Sequence, residues 1–296
     1  MTPRDVAELV RAPAALSVLG DTLAGMASAP GRIPARRRVL LPTASACLYL
    51  GGMALNDYAD RDLDAIERPE RPIPSGRVTP RQALGTGAAL TGAGVTLAAL
   101  GGGRKALAVA VPLAACVLTY DLVAKDSPSG PLVMAACRGL DVLLGAAPTG
   151  VRPALPAAAA LAVHTLGVTV LSRGEVHGTT TAVGTSAAVT SAVVAAGTVA
   201  AALARPAAGP AGRWARRGAV AAASAYAAAC LPGQVRAARD RSAGAARSAT
   251  KAGIQAMVPL QAAWALRGGR LEAVALAGVA VVGGALLRRR GRVSIT

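Results

Sequence analysis

Long apolar runs separated by short basic segments limit the folds open to this chain more than any other feature. A helix needs about 20 residues to cross the roughly 30 Å of bilayer hydrocarbon, and ten runs approach that length. In lipid, only helices and closed barrels satisfy their own backbone polar groups. The pattern therefore predicts an all-α fold, a polytopic transmembrane bundle that forms one integral-membrane domain over residues 1–296. The predicted spans are residues 12–29, 39–56, 82–101, 105–122, 131–149, 153–171, 184–204, 216–232, 250–266 and 271–287.

The composition supports the membrane class and narrows the partners. Apolar residues make up 53% of the chain, more than an ordinary soluble domain carries. The net charge of +17 comes from Lys and Arg that lie between the spans, so they are expected to meet lipid headgroups rather than nucleic acid. Their bias across alternate loops predicts a multi-pass protein of the cell membrane, with residues 57–77 on the cytoplasmic side. The four cysteines stand singly in apolar runs and are interpreted as small buried hydrophobes.

An acidic cluster follows the second predicted span. Six of the fifteen acidic residues fall within residues 57–70. If the helix entering at Tyr49 continues to residue 66, Asp57, Asp60 and Asp64 project from one face. Carboxylates at this spacing suit Mg²⁺, which takes one or two of them and completes its shell with water and phosphate oxygens. The alternative is a solvated acidic loop between two membrane helices.

Charged residues inside predicted spans are candidates for function, because a charge at the centre of a membrane helix costs at least about 2.5 kcal/mol. Asp21 could line a substrate pocket, or it could bond to a hydroxyl such as that of Thr22. Arg138 and Asp141 stand three residues apart in the fifth span, a spacing at which they could neutralise one another. The alternative places Arg138 beside a phosphate.

The acidic cluster carries a family resemblance. The pattern Asn56-Asp57-x-x-Asp60-x-x-x-Asp64, followed by the segment RPIPSGR at residues 71–77, resembles the first signature of the UbiA superfamily of intramembrane prenyltransferases. Members typically have nine transmembrane helices, so the resemblance implies a bundle of nine to ten. It also implies Mg²⁺-dependent transfer of an isoprenyl group from a polyprenyl diphosphate to an aromatic or other small lipophilic acceptor.

The resemblance implies roles for individual residues. Asp57, Asp60 and Asp64 are expected to be catalytic and to bind Mg²⁺, and Lys125 is expected to be a catalytic cation that holds the diphosphate. The alternative for Lys125 and Tyr120 is an interfacial tyrosine beside a lysine that reaches the headgroups. The residues expected to bind substrate are Asn56, Tyr58, Arg71, Arg77, Tyr120, Arg138, Asp141, Arg173 and Asp21.

The segment LSRGEVHG at residues 171–178 departs from the superfamily. A second Asp-rich motif is expected here, yet Glu175 is the one carboxylate left, and it is predicted to join the metal ligands. His177 is either a ligand, a proton acceptor or a surface residue, whereas His164 is expected to be a hydrogen-bonded core residue. Together with YDxxxK at residues 120–125 and CRGLDVLLG at residues 137–145, this segment resembles the EboC-like branch of the superfamily.

Two further features bear on the function. The chain has no Phe, so Tyr58 and Tyr120 are the aromatic faces best placed near a reacting prenyl group. It also lacks the G-x-S-x-G and HExxH patterns of common hydrolases. The altered second motif leaves an alternative to the prenyltransferase, a catalytically degenerate membrane protein that binds or carries a prenylated or phosphorylated lipid.

Overall fold

The computed structural model describes residues 1–12, 16–29, 31 and 33–269. All the regular secondary structure in this part of the chain is helical, which confirms the predicted all-α class. A π-helical turn, Tyr120–Ala124, follows α5, and a short 3₁₀ turn, Arg152–Ala154, precedes α7. The tenth predicted span, residues 271–287, lies outside the described residues. The helices are α1 (Pro3–Leu9), α2 (Leu16–Ser28), α3 (Ala35–Ala59), α4 (Arg61–Glu67), α5 (Pro80–Thr119), α6 (Gly130–Ala146), α7 (Leu155–Ser172), α8 (Thr181–Ala204), α9 (Gly209–Asp240) and α10 (Ala243–Arg267).

Helix α5 contains two of the predicted spans, because the chain reverses inside it at Gly103. This residue has φ +62° and ψ −150°, a conformation that glycine adopts without steric cost. Before the break, Gly94 packs against Leu48 of α3, and after it, Val117 approaches Gly52 of the same helix. The two halves of α5 therefore run in opposite directions along α3.

Close helix contacts depend on small residues. A Cβ on Gly25 would lie 1.8 Å from the carbonyl oxygen of Val142, and one on Gly145 would lie 2.0 Å from that of Thr22. Helices α2 and α6 thus cross backbone to backbone, as small residues permit in membrane bundles. This crossing brings the charged residues of α2 and α6 into one layer.

Within the described residues, four helices are long and apolar enough to cross a membrane by length and composition. The four helices that qualify are Ala35–Ala59, Pro80–Ala124, Arg152–Ser172 and Thr181–Ala204.

Candidate functional site

The acidic cluster lies where α3 passes into α4, and the predicted continuous helix is interrupted at one residue. Asp60 has φ −86° and ψ 0°, so α3 ends before it and α4 begins after it. Backbone hydrogen bonds still cross the break, from Asp60 N to the Asn56 oxygen at 2.9 Å and from Asp64 N to the Asp60 oxygen at 2.8 Å. Asp57 and Asp64 therefore remain on one side, whereas the side chain of Asp62 is 87% exposed.

One arginine joins the two buried carboxylates. Arg71 Nη1 lies 2.5 Å from Asp64 Oδ2 and 3.5 Å from Asp57 Oδ1. Both aspartate side chains are 4% exposed. Charges that are this buried require partners, and the loop after α4 returns to supply one. One cationic group, the Arg71 guanidinium, therefore contacts both carboxylates.

A second arginine reaches the same carboxylate from the N-terminal segment. Arg11 Nη2 lies 2.8 Å from Asp57 Oδ1. It follows α1, whose Leu9 packs into an apolar cluster with Ile73 and Val78. Sequence reasoning missed Arg11 because it belongs to no motif, and 46 residues separate it from Asp57. In the structure, the backbone of Arg11 is left-handed, with φ +47°.

The third aspartate of the pattern has a separate partner. Lys125 Nζ forms a salt bridge with Asp60, and both side chains are partly buried. Lys125 directly follows the π-helical turn, which directs the end of α5 toward the break between α3 and α4. The structure thus brings together Asp57, Asp60, Asp64, Arg71 and Lys125, as the resemblance implies.

Arg77 binds acidic residues of the N-terminal helix α1 instead of the aspartates of the acidic cluster. Its guanidinium donates to Glu8 Oε1 at 2.9 Å, to Glu8 Oε2 at 2.8 Å and to Asp5 Oδ1 at 3.2 Å. Hydrogen bonds from Thr2, and then from Arg77, lower the pKa of Asp5, and the bond from Arg77 lowers the pKa of Glu8. The same contacts raise the pKa of Arg77. Arg77 therefore holds α1 over the acidic cluster.

A cavity lies between α2, α3, the second half of α5 and α6, adjoining the acidic cluster. It contains about 520 Å³ of empty space, including space continuous with solvent. Its walls are largely apolar, and Tyr120 is among them as expected. The polar residues that line it are Ser45, Tyr49, Tyr120, Asp121, Arg138 and Asp141.

Of the two alternatives for Arg138, pairing with Asp141 is not the one that the structure shows. Arg138 Nη1 donates to Asp21 Oδ2 at 2.6 Å, and Gln261 Nε2 donates to Asp21 Oδ1 at 2.8 Å. Asp141 Oδ2 instead accepts from the Ser45 hydroxyl at 2.8 Å. The two residues of α6 turn toward different neighbours, α2 and α3, so spacing along one helix did not determine their partners.

The hydroxyl alternative for Asp21 is also not realised. Thr22 donates to the backbone oxygen of Leu19 at 3.1 Å, not to the neighbouring carboxylate. Asp21 is fully buried and is held by Arg138 and Gln261. Asp21 therefore contributes to the cavity indirectly, by holding Arg138, which lines the cavity wall.

The segment after α7 brings few charges together. Arg173 is exposed and donates to the backbone oxygen of Ser127. Glu175 is half-buried, and its backbone oxygen accepts from Arg247 at 2.9 Å, whereas His177 is exposed. Over the described ranges, no three His, Cys, Asp or Glu side chains converge as a metal site. The addition of Glu175 to the metal ligands therefore stays a prediction.

Three remaining candidates lie as follows. Asn56 is half-buried one residue before Asp57, and its backbone oxygen accepts from Asp60. The ring of Tyr58 lies 4.9 Å from the guanidinium of Arg61. His164 is buried, with Nδ1 3.0 Å from the Tyr226 hydroxyl and Nε2 3.1 Å from the Gly253 oxygen, so the expected core role is confirmed.

Comparison with known proteins identifies the family. Residues 18–258 match the UbiA prenyltransferase family. The chain belongs to the UbiA prenyltransferase family. This confirms the family resemblance carried by residues 56–77, whereas the EboC-like branch stays a prediction.

Curated relatives within the UbiA family match only part of the chain. Digeranylgeranylglyceryl phosphate synthase of Methanopyrus kandleri is 37% identical over 46% of this chain and 48% of its own length. Protoheme IX farnesyltransferase of Anaeromyxobacter dehalogenans is 38% identical over 41% of this chain and 42% of its own length. The chain thus spans about half the length of the curated relatives it matches.

Solved structures of UbiA homologues share the fold across most of the chain. A structure of digeranylgeranylglyceryl phosphate synthase superimposes with a TM-score of 0.62 at 18% identity, covering 89% of this chain and 97% of the other. A UbiA homologue from Archaeoglobus fulgidus, bound to GPP and Mg²⁺, superimposes with a TM-score of 0.61 at 13% identity, covering 86% and 99%. At these identities the superpositions establish the helical fold.

Proposed function

We propose that this UbiA-family chain is a Mg²⁺-dependent prenyltransferase of the cell membrane. It transfers an isoprenyl group from a polyprenyl diphosphate to an aromatic or other small lipophilic acceptor. The observation that carries the proposal is the contact of one cationic group, the Arg71 guanidinium, with the buried carboxylates of Asp57 and Asp64. This pair adjoins an apolar cavity, as a reaction between a diphosphate and a lipophile requires.

The residues present fit a magnesium ion. Mg²⁺ usually takes one or two protein carboxylates and completes its shell with water and substrate phosphate oxygens. Asp57 and Asp64 already contact one cationic group, so they would hold the ion together, and Asp60 is the third carboxylate of the same motif. When bound, the ion would supply charge neutralisation for a departing diphosphate.

The cations around the aspartates have the chemistry to bind the diphosphate. Arg11, Arg71 and Lys125 each contact one or more of the three aspartates. Arginine presents a planar fork to phosphate oxygens, and lysine presents a compact charge. A bound diphosphate would offer these groups oxygens in place of the carboxylates. The prenyl chain would then extend into the apolar cavity.

The relatives support the same chemistry and the same location. The curated relatives are named as enzymes that attach geranylgeranyl or farnesyl groups, and the Archaeoglobus fulgidus homologue binds GPP with Mg²⁺. Four described helices have the length and composition of membrane spans. The bias of Lys and Arg across the loops favours a cytoplasmic position for the acidic cluster.

A direct test measures two steps in purified full-length protein in lipid nanodiscs. The first is Mg²⁺-dependent binding of a non-hydrolysable farnesyl diphosphate analogue, and the second is diphosphate release from C10, C15 and C20 prenyl diphosphates. We expect both steps in the native chain, and loss of both in Asp57→Asn. Asp62→Asn is the matched control, since its exposed carboxylate lies on the same short segment. Absence of Mg²⁺-dependent binding and release in the native protein would contradict the proposal.

One observation favours a second candidate, a lipid-binding protein without chemistry. The segment after α7 offers Glu175 where the superfamily has two aspartates, and its side chain makes no ion pair among the described residues. The same nanodisc assay separates the two. Mg²⁺-dependent analogue binding without release from any chain length would identify a carrier.

A further inference from the structure

We infer that the cavity next to Asp141 binds an uncharged acceptor that carries a hydroxyl group, and that it rejects acceptors with an anionic group there. This inference rests on the proposed prenyl transfer and names the class of its second substrate. It concerns the inner part of the cavity, away from the acidic cluster.

Asp141 lines this cavity and carries a hydrogen-bond acceptor that has no partner in the described part of the chain. The residue is 3% exposed and lines the cavity wall. Its Oδ2 accepts from the Ser45 hydroxyl at 2.8 Å, whereas Oδ1 has no hydrogen-bond partner in the described part of the chain. A buried carboxylate oxygen without a donor is costly, and a hydroxyl on a bound molecule would supply one.

The charges around the cavity select against an anion. Asp121 and Asp141 line the wall, and Arg138 is the one cation that does so within the described residues. The guanidinium of Arg138 is already paired with the buried carboxylate of Asp21 at 2.6 Å. A phosphate or carboxylate placed here would face two carboxylates and an arginine held by a third. A hydroxyl donates to Asp141 without adding charge.

The distance along α3 separates this site from the diphosphate site. Ser45, which holds Asp141, precedes Asp57 by twelve residues on the same helix, or about 18 Å at 1.5 Å per residue. The cations that face the acidic cluster, Arg11, Arg71 and Lys125, therefore serve the outer end of the site. The inner end instead has the Asp141 carboxylate, which favours a hydrogen-bond donor over an anion.

Three matched probes test the inference on the full-length protein in nanodiscs. They are 1-naphthol, 1-methoxynaphthalene and 1-naphthyl phosphate, which share one ring system and differ in the polar group. Binding is measured by calorimetry, with protein-free nanodiscs subtracted. We expect 1-naphthol to bind at least about tenfold more tightly than either of the others, because the ether has no donor and the phosphate is anionic.

Substitution assigns this preference to Asp141. Asp141→Leu keeps the branching at Cγ, removes the acceptor oxygens and is expected to bring 1-naphthol and 1-methoxynaphthalene within about twofold. Met134→Leu, elsewhere on the cavity wall, is the matched control and is expected to keep the native preference. If Asp141→Leu does not fold, Asp141→Ala, which also removes the acceptor oxygens, serves the same purpose, and the native probe series still tests the preference for charge.

Each outcome decides the inference. It is overturned if 1-naphthol does not bind, if the ether or the phosphate binds as tightly as the alcohol, or if the preference survives the loss of the Asp141 carboxylate. The farnesyl diphosphate analogue is titrated with Mg²⁺ in the same preparation. Analogue binding without the hydroxyl preference refutes this inference alone, whereas hydroxyl preference without analogue binding refutes the proposed transfer and leaves the cavity chemistry standing.

Discussion

The segment after α3 and the segment after α7 differ sharply in how they hold charge. After α3, Asp57 and Asp64 are buried against Arg71, and Asp60 binds Lys125. After α7, the carboxylate of Glu175 is half-buried, and its neighbours Arg173 and His177 are exposed. The first segment has the features of a site that binds ions, and the second has those of a surface turn.

The backbone explains why the second segment is different. Gly178 has φ +91°, and a Cβ there would lie 2.6 Å from the carbonyl oxygen of Arg241. The amide of Thr179 donates to that same oxygen at 2.8 Å. This turn is therefore shaped to pack on the connection between α9 and α10. We therefore expect the proposed metal and diphosphate binding to depend mainly on the segment after α3.

The largest expected effect is that of Asp57→Asn. We expect diphosphate release to fall roughly a thousandfold, equivalent to about 4 kcal/mol of transition-state stabilisation, because a buried carboxylate ligand is lost. The measurement is the single-turnover rate at saturating Mg²⁺, with Asp62→Asn as control. A decrease of less than tenfold would remove the first segment from its proposed role.

Arg71→Met is expected to affect folding more than any other single change at the site. It leaves Asp57 and Asp64 buried with one cation fewer, and breaking a buried ion pair costs about 3 kcal/mol. Thermal unfolding in detergent should show a clear decrease in midpoint, partly reversed by Mg²⁺. Arg61→Met, which removes an arginine paired with the exposed Asp62, is the control and should unfold like the native protein. An unchanged midpoint for Arg71→Met would show that the bridge contributes no stability.

Sequence reasoning found the aspartates of the site but not their full set of partners. The spacing of Asp57 and Asp64 placed both on one side because local helical geometry persists across the break at Asp60. Local geometry cannot pair residues from distant helices. Arg11 reaches Asp57 because α1 packs on the loop after α4, and this long-range contact within the chain depends on that packing.

The same limit explains the fold and the inner cavity. Ten apolar runs predicted the helical class, and the reversal at Gly103 explains how α5 contains two of these runs. Spacing on α6 allowed Arg138 to pair with Asp141, but the close crossing of α2 and α6 at Gly25 and Gly145 brings in Asp21 instead. That crossing depends on which helices meet, which periodicity does not encode.

Glu175→Gln is expected to have a small effect, which sharpens the contrast between the two segments. The carboxylate is half-buried and unpaired within the described residues, so we expect the rate of diphosphate release to change less than about threefold, or about 0.6 kcal/mol. Single-turnover kinetics and the Mg²⁺ dependence provide the measurement. A loss comparable with that of Asp57→Asn would instead make Glu175 the functional replacement for the missing second motif.

The smallest expected effect is on the docking of α1. This helix covers the segment after α3 and has no counterpart over the segment after α7 in the described structure. The contacts of Asp5 and Glu8 with Thr2 and Arg77 lower the pKa of both carboxyls, so their stabilisation is present above the ordinary values of 3.8 and 4.5. It is lost as the pH falls through the lowered values.

Hydrogen exchange of the α1 amides, corrected for the intrinsic rate at each pH, measures this docking. We expect protection that is constant from pH 6 to 8 and decreases below about pH 4, while the amides of α5 keep theirs. Arg77→Leu should lower the protection of α1 already at pH 7, because it removes the partner of Glu8. If protection does not depend on pH and survives Arg77→Leu, the packing of Leu9 against Ile73 and Val78 holds α1 without help from the ion pairs.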